Sequence, residues 1–215
     1  MPQIFPKRAN LYPVLTLIAV LLGGIAVVGF IWYYFSPEYT DVGYAPEQPV
    51  PYSHQIHVDK LGLDCQYCHT NVGGADFANV PSTETCMNCH SSIRTESEAL
   101  APVRESWSSG DPIEWVNVHM LPDYAHFTHS RHVNAGVGCE TCHGRVDKMD
   151  VVSQEEPLSM SWCLDCHRSP EEFLRPPEEV TTMGFEPADN QLDRNMQRIA
   201  EENINPPTDC SSCHY

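Results

Sequence analysis

Apolar residues are crowded into one stretch of this chain and thinly scattered over the rest. Leu11 to Phe35, LYPVLTLIAVLLGGIAVVGFIWYYF, contains no charged residue. A helix needs roughly 20 apolar residues to cross a bilayer, so the run predicts a transmembrane helix over 11–35. Pro13 falls in its first turn, where a missing N–H costs little. Gly23, Gly24 and Gly29 are tolerated in membrane helices and suit close contact with another helix. Trp32, Tyr33 and Tyr34 form an aromatic belt at its far end. A cleaved signal peptide has a shorter apolar core and a small-residue cleavage site; here the run continues into SPEYTD without an A-x-A-like site. An uncleaved anchor is the better reading. Lys7 and Arg8 precede the helix and Glu38 and Asp41 follow it, which puts residues 1–10 in the cytoplasm and the remainder outside.

Beyond the helix the pattern changes. Ser36 to Pro51 carries Pro37, Pro46, Pro49 and Pro51 and predicts a stiff, extended linker over 36–51. From Tyr52 to Tyr215 helical periodicity is sparse and prolines are frequent. One helix is expected from Ser92 through Trp107, interrupted near Pro102. Another opens at SPEEFLR with Ser169 as N-cap and Pro170 at the first helical position. A third lies within Asp193 to Asn203, with Met196, Ile199 and Ala200 as its apolar face. Nothing in the pattern suggests a β-sheet domain. The fold class expected is mostly α with much irregular coil.

So weak a hydrophobic pattern over 52–215 needs another source of core, and the cysteines supply one. The chain has 10 Cys and 11 His in 215 residues. Every cysteine falls in Cys-x-x-Cys-His: Cys65/Cys68/His69, Cys86/Cys89/His90, Cys139/Cys142/His143, Cys163/Cys166/His167 and Cys210/Cys213/His214. With histidine at about 5% of positions, five chance occurrences have odds on the order of 10⁻⁷, and the pattern is the attachment signature of c-type haem. The thiols add to the two vinyl groups as thioethers, and the adjacent histidine reaches the iron. Zinc ribbons use paired Cys-x-x-Cys knuckles without an obligatory next histidine, and disulfides have no use for it. Five covalently bound haem c groups are therefore expected, each a large apolar disc that stands in for side-chain core. Bacterial haem attachment occurs outside the cytoplasm, in agreement with the charge bias around the helix. The expected organisation is a bacterial inner-membrane protein with one pass and a periplasmic pentahaem domain over 52–215.

A repeat runs through that domain. YSHQIHVDKLGLDCQYCH (52–69) and FTHSRHVNAGVGCETCH (127–143) share aromatic-x-His-x-x-His followed by Gly-apolar-x-Cys-x-x-Cys-His, and differ by one residue in the spacer. Each begins a pair of motifs. Five irons use His69, His90, His143, His167 and His214 as proximal ligands and leave His54, His57, His119, His126, His129 and His132. In each repeat the first histidine can cap the iron attached just downstream, and the second, one turn on, can reach a neighbouring iron. His54 is assigned to the first haem and His129 to the third. His57, His132 and His119 are distal candidates for the others, and His126 reads equally as a packing residue. A Met ligand raises the potential; Met183 leads as the alternative distal ligand, ahead of Met149 and Met160, although core packing is the usual role of a methionine.

Charge narrows the function. Twelve Lys+Arg against 29 Asp+Glu give a formal charge of −17, which excludes a phosphate-binding footprint and hence nucleic acid. The acidity either keeps an exported domain soluble or forms a docking face for a cationic redox partner. Spare histidines outnumber the irons and no Cys-x-x-Cys-Lys variant is present. Filled distal sites favour electron transfer over haem catalysis, and no catalytic site of its own is expected. One class consistent with this is a stand-alone, membrane-anchored quinol dehydrogenase feeding a periplasmic reductase; those cytochromes place their first motif close behind the helix, unlike Cys65. The other is a subunit of a larger complex.

The segments WVNVHMLPDYAHFTHSRHVNAGVGCETCHGRV (115–146), LSMSWCLDCHRSPEEFLRP (158–176) and the terminal CSSCHY resemble the pentahaem cytochrome subunit of alternative complex III. The resemblance covers the anchor, all five motifs and their order. It implies a multihaem cytochrome c domain with cytochrome c3/c7-like haem packing, and ligand-like positions at His119, His129 and His132. It also implies partners: polytopic quinol-binding membrane subunits, an iron–sulfur periplasmic subunit, and a monohaem cytochrome c or terminal oxidase as acceptor. The chain would be the electron relay of a quinol:electron-acceptor oxidoreductase, with substrate chemistry left to those partners.

Overall fold

The computed structural model describes residues 4–215, so the first three positions of the expected segment 1–10 lie outside the described residues. The chain forms two compact units, the first ending at Asp41 and the second running from Val42 to Tyr215. In the first, a 3₁₀ turn over Lys7–Leu11 leads into α1 (Tyr12–Tyr34). Pro13 sits in the first turn of α1, where no intrahelical donor is needed. A short turn, α2 (Pro37–Thr40), follows, and Tyr39 folds back to within 4.4 Å of the Tyr34 ring. α1 is long and apolar enough to cross a membrane.

The second unit is short helices in coil: α3 (Cys65–Cys68), α4 (Thr83–His90), α5 (Ala101–Ser109), α6 (His129–Ala135), α7 (Cys139–His143), α8 (Met160–Arg168) and α9 (Gln191–Glu202). A π-helical turn spans Gln55–Lys60. Among the described residues the β-structure is one isolated antiparallel bridge, Val137 to Leu174. Among the described residues the buried apolar ones are Val50, Val72, Val103, Leu174 and Val180, and no large side chain is fully enclosed. A polypeptide of this length ordinarily buries far more side chain.

Four expectations are corrected. The extended linker over 36–51 ends early: Gly43 N–H donates to Gln154 O (2.7 Å), Gln154 N–H donates to Tyr44 O (3.0 Å) and Val50 is buried, so these residues belong to the second unit. The helix expected from Ser92 starts only at Ala101, because Arg94 adopts a left-handed φ of 56° that breaks helical winding; Pro102 lies in the first turn instead of interrupting it. The helix expected at SPEEFLR is a single 3₁₀ turn, Pro170–Glu172, with no cap bond from Ser169. Its continuation is pulled into the bridge, with Arg175 N–H donating to Gly136 O at 2.8 Å.

The fourth concerns α9, whose inward face is polar, not the Met196 face: Gln191 and Asn195 are buried and Met196 is exposed. The reason is that coil without a ladder leaves carbonyls to satisfy. Asn195 Nδ2 donates to Glu171 O (2.8 Å) and Leu174 O (2.6 Å), and Arg198 donates to Arg175 O (2.8 Å) and to Ala135 O.

Candidate haem-iron centres

Each Cys-x-x-Cys pair lies on a helical turn, where residues three apart share a face: on α3, α4, α7, α8 and a 3₁₀ turn at Cys210–Ser212. All ten thiols are unpaired. The following histidines are then oriented by their Nδ1 atoms. Nδ1 of His69 donates to Asn79 O (2.8 Å), that of His90 to Ile93 O (3.0 Å), that of His167 to Pro207 O (2.6 Å) and that of His214 to Tyr124 O (2.8 Å). A histidine whose Nδ1–H is held by a carbonyl presents Nε2 with a free lone pair to a metal.

Three of the spare histidines obey the same rule. Nδ1 of His57 donates to Ser53 O (2.8 Å), that of His129 to Asp76 O (2.7 Å) and that of His132 to Thr128 O (2.9 Å). With metal–nitrogen bonds of about 2 Å on both sides, two imidazoles facing one iron have ring centres roughly 6 Å apart. Three pairs have that separation: His57–His90 at 6.2 Å, His129–His143 at 6.4 Å and His132–His167 at 6.0 Å. His54 stands in the electrostatic neighbourhood of His69, and its buried Nδ1 has no hydrogen-bond partner. Among the described residues no three of His, Cys, Asp and Glu converge on one point as a zinc cage requires. Histidine pairs suit an iron whose other four ligands come from a macrocycle, so the residues present fit haem c.

Burial favours the neutral ring at four of the histidines. It pushes His54 down to about 4, helped by His69 and His57, and His143 down to about 3, helped by His119 and His129. His132 and His119 are lowered by the same cause. A neutral imidazole is the ligating form.

His119, a distal candidate in the sequence, stands beside a motif histidine. His119 Nε2 lies 3.3 Å from His143 Nδ1, with the rings edge to face at 4.4 Å, so it occupies the place that a carbonyl fills at the other proximal histidines. Met183 is half-buried, and its two chain neighbours are tied down: the Thr182 carbonyl accepts from Arg175, and the Gly184 N–H donates to Glu140. His126 stacks on Tyr215 at 4.1 Å and turns Nε2 to the Tyr215 carbonyl at 2.8 Å.

Sequence reasoning missed the orienting groups. Tyr52 and Phe127 each clamp two histidines: Tyr52 meets His54 edge-on at 4.8 Å and stacks on His57 at 4.4 Å, and Phe127 meets His129 at 4.8 Å and His132 at 4.4 Å. The aromatic residue at the head of each repeat was the available signal. Arg175, almost wholly buried, pairs with Glu140 inside the third motif (2.9 Å) and lies over Phe185. Burial pushes the Glu140 carboxyl up, but the Gly184 amide and Arg175 together hold it below the usual range. Nothing in the sequence ties residue 175 to residue 140.

Residues 50–105 and 125–215 match the family model described as cytochrome c7 and related cytochrome c. A curated relative, the menaquinone reductase multiheme cytochrome c subunit of Nitratidesulfovibrio vulgaris (strain Hildenborough), is 36% identical over 98 residues. That alignment covers 45% of this chain and 46% of the relative, so the match spans about half the length of each.

Proposed function

Because the chain belongs to the family of cytochrome c7 and related cytochromes c, whose members carry haem c covalently, we propose that it holds five haem c groups and relays electrons in a quinol-linked membrane complex. In the finer reading that complex is alternative complex III. The observation that carries the proposal is the set of histidine pairs 6.0–6.4 Å apart. His54 and His69 hold the first iron, His57 and His90 the second, His129 and His143 the third, His132 and His167 the fourth, and His214 the fifth from the proximal side. Bound haem supplies a one-electron iron couple. The chain's own residues would attach it by thioethers and, at the first four sites, offer an imidazole from each side and so close the distal side to substrates.

α1 anchors the chain in the inner membrane, with Lys7 and Arg8 cytoplasmic and the second unit periplasmic. Polytopic quinol-binding subunits, an iron–sulfur subunit, and a monohaem cytochrome c or terminal oxidase are its partners. The relative named for menaquinone reductase favours a second reading, in which a complex of the same kind runs electrons toward quinone.

Purification from native membranes in mild detergent tests the proposal. The expected result is co-purification with polytopic and iron–sulfur subunits and haem reduction by added menaquinol. Haem oxidation by menaquinone without reduction by menaquinol supports the second reading. Recovery of the chain alone, still reduced by quinol, identifies a stand-alone dehydrogenase.

A further inference from the structure

Chain order suggests that the first motif begins the row of five. The contacts say otherwise. Tyr67, inside the first motif, accepts a hydrogen bond on its hydroxyl from Asn88, inside the second (3.2 Å), and Cys68 is within electrostatic reach of Cys86. The first motif also meets the third: Cys65 lies beside Cys139. Those two cysteines also touch consecutive carbonyls, Cys65 Sγ that of Thr181 at 4.0 Å and Cys139 N–H that of Val180 at 2.9 Å. The loop after the first motif holds the start of α6, with His129 N–H donating to Asp76 O (3.0 Å) and Ser130 N–H to Ala75 O (3.1 Å).

From the third motif the row goes on to the fourth, because α6 carries both His129, paired with His143, and His132, paired with His167. Cys142 is within reach of Cys166 and Cys163. The fourth meets the fifth through His167 on Pro207 O and through Cys163 near Cys213. An independent observation marks the ends: Cys89 of the second motif and Cys210 of the fifth are the two exposed cysteines, and the other eight are half-buried.

We infer that the five attachment sites are strung second–first–third–fourth–fifth, so that the second and fifth motifs, not the first and fifth, are the ends at which electrons enter and leave. This rests on the reading that each motif carries a haem.

The test uses the full chain with all ten native cysteines in thioethers. A new cysteine on an exposed position beside the second motif (Glu96→Cys) or near the first (Lys60→Cys) carries a ruthenium polypyridyl photoreductant, recharged by a sacrificial amine donor. A haem count precedes it: fewer than five per chain overturns the reading that every motif carries a haem, and with it the row of five. With five present, an electron injected at the second site should stay there in Cys65→Ala/Cys68→Ala. One injected near the first should still spread to the remaining sites in Cys86→Ala/Cys89→Ala. Transient absorption that shows the reverse overturns the order. If the first variant fails to fold, His54→Met keeps the haem attached and raises its potential. The electron injected at the second site should then be trapped at the first, with at least tenfold less arriving beyond it; unchanged arrival beyond the first site overturns the order as well.

Discussion

In the first repeat Tyr52 lies 4.8 Å from His54 and 4.4 Å from His57; in the second Phe127 lies 4.8 Å from His129 and 4.4 Å from His132. In both, the second histidine bonds the carbonyl four residues back through Nδ1 and reaches the proximal histidine of the following motif. Yet the backbones between differ. The second copy is a regular α-helix, α6, whereas the first, one residue longer before its glycine, is a π-helical turn over Gln55–Lys60. A single inserted residue is what a π-turn absorbs. Gly62 and Gly136, both at positive φ, then close the turn in each copy. Ring placement is held constant while the local winding varies, so the side-chain clamp and not the helix type is the shared feature.

A second difference lies just ahead of each Cys-x-x-Cys. The first copy has Asp64, which caps its own helix by accepting from Gln66 N–H at 2.8 Å. The second has Gly138, and a Cβ there would land on the Arg175 guanidinium. The missing side chain makes room for the cation that pairs with Glu140.

Swapping these residues should give the largest effect. Gly138→Asp displaces a nearly buried ion pair and should cost about 3 kcal/mol or more in denaturant unfolding. A loss below 1 kcal/mol would mean that Arg175 is free to move aside. The reciprocal Asp64→Gly removes only a cap and should cost well under 1 kcal/mol. Removing Lys60 from the first copy equalises the spacers. It should convert the π-turn to α-helix with His54 and His57 still ligating, at a cost of about 1 kcal/mol; loss of a low-spin bis-histidine signal would show that the π-turn itself sets the ring positions. The smallest effect is one of pH. Glu140 is held below the ordinary carboxylate range, so its contribution is complete above that range and is lost as pH falls through its folded value. Glu140→Gln should flatten stability against pH on the acid side, and an unchanged acid limb would assign that sensitivity elsewhere.

The parts of the molecule legible from sequence were those written in local patterns. The apolar run, the motif spacing and the aromatic-x-His-x-x-His repeat each state their physics within a few residues. What escaped were contacts between distant segments. α9 presented Met196 on an apolar stripe, but its buried face is Gln191 and Asn195, because carbonyls at 171 and 174 needed donors. SPEEFLR read as a helix start until the pairing of Arg175 with Gly136 drew it out. His119 looked in sequence like the other distal candidates, and its 3.3 Å separation from His143 could not be read there.

Near-infrared magnetic circular dichroism of the oxidised full chain tests the central claim, that each repeat segment holds two irons. Four bis-histidine haems are predicted, with one such signature lost in His57→Ala and one in His132→Ala. Two or more methionine-ligated haems in the unaltered chain, or no loss in either variant, would contradict it.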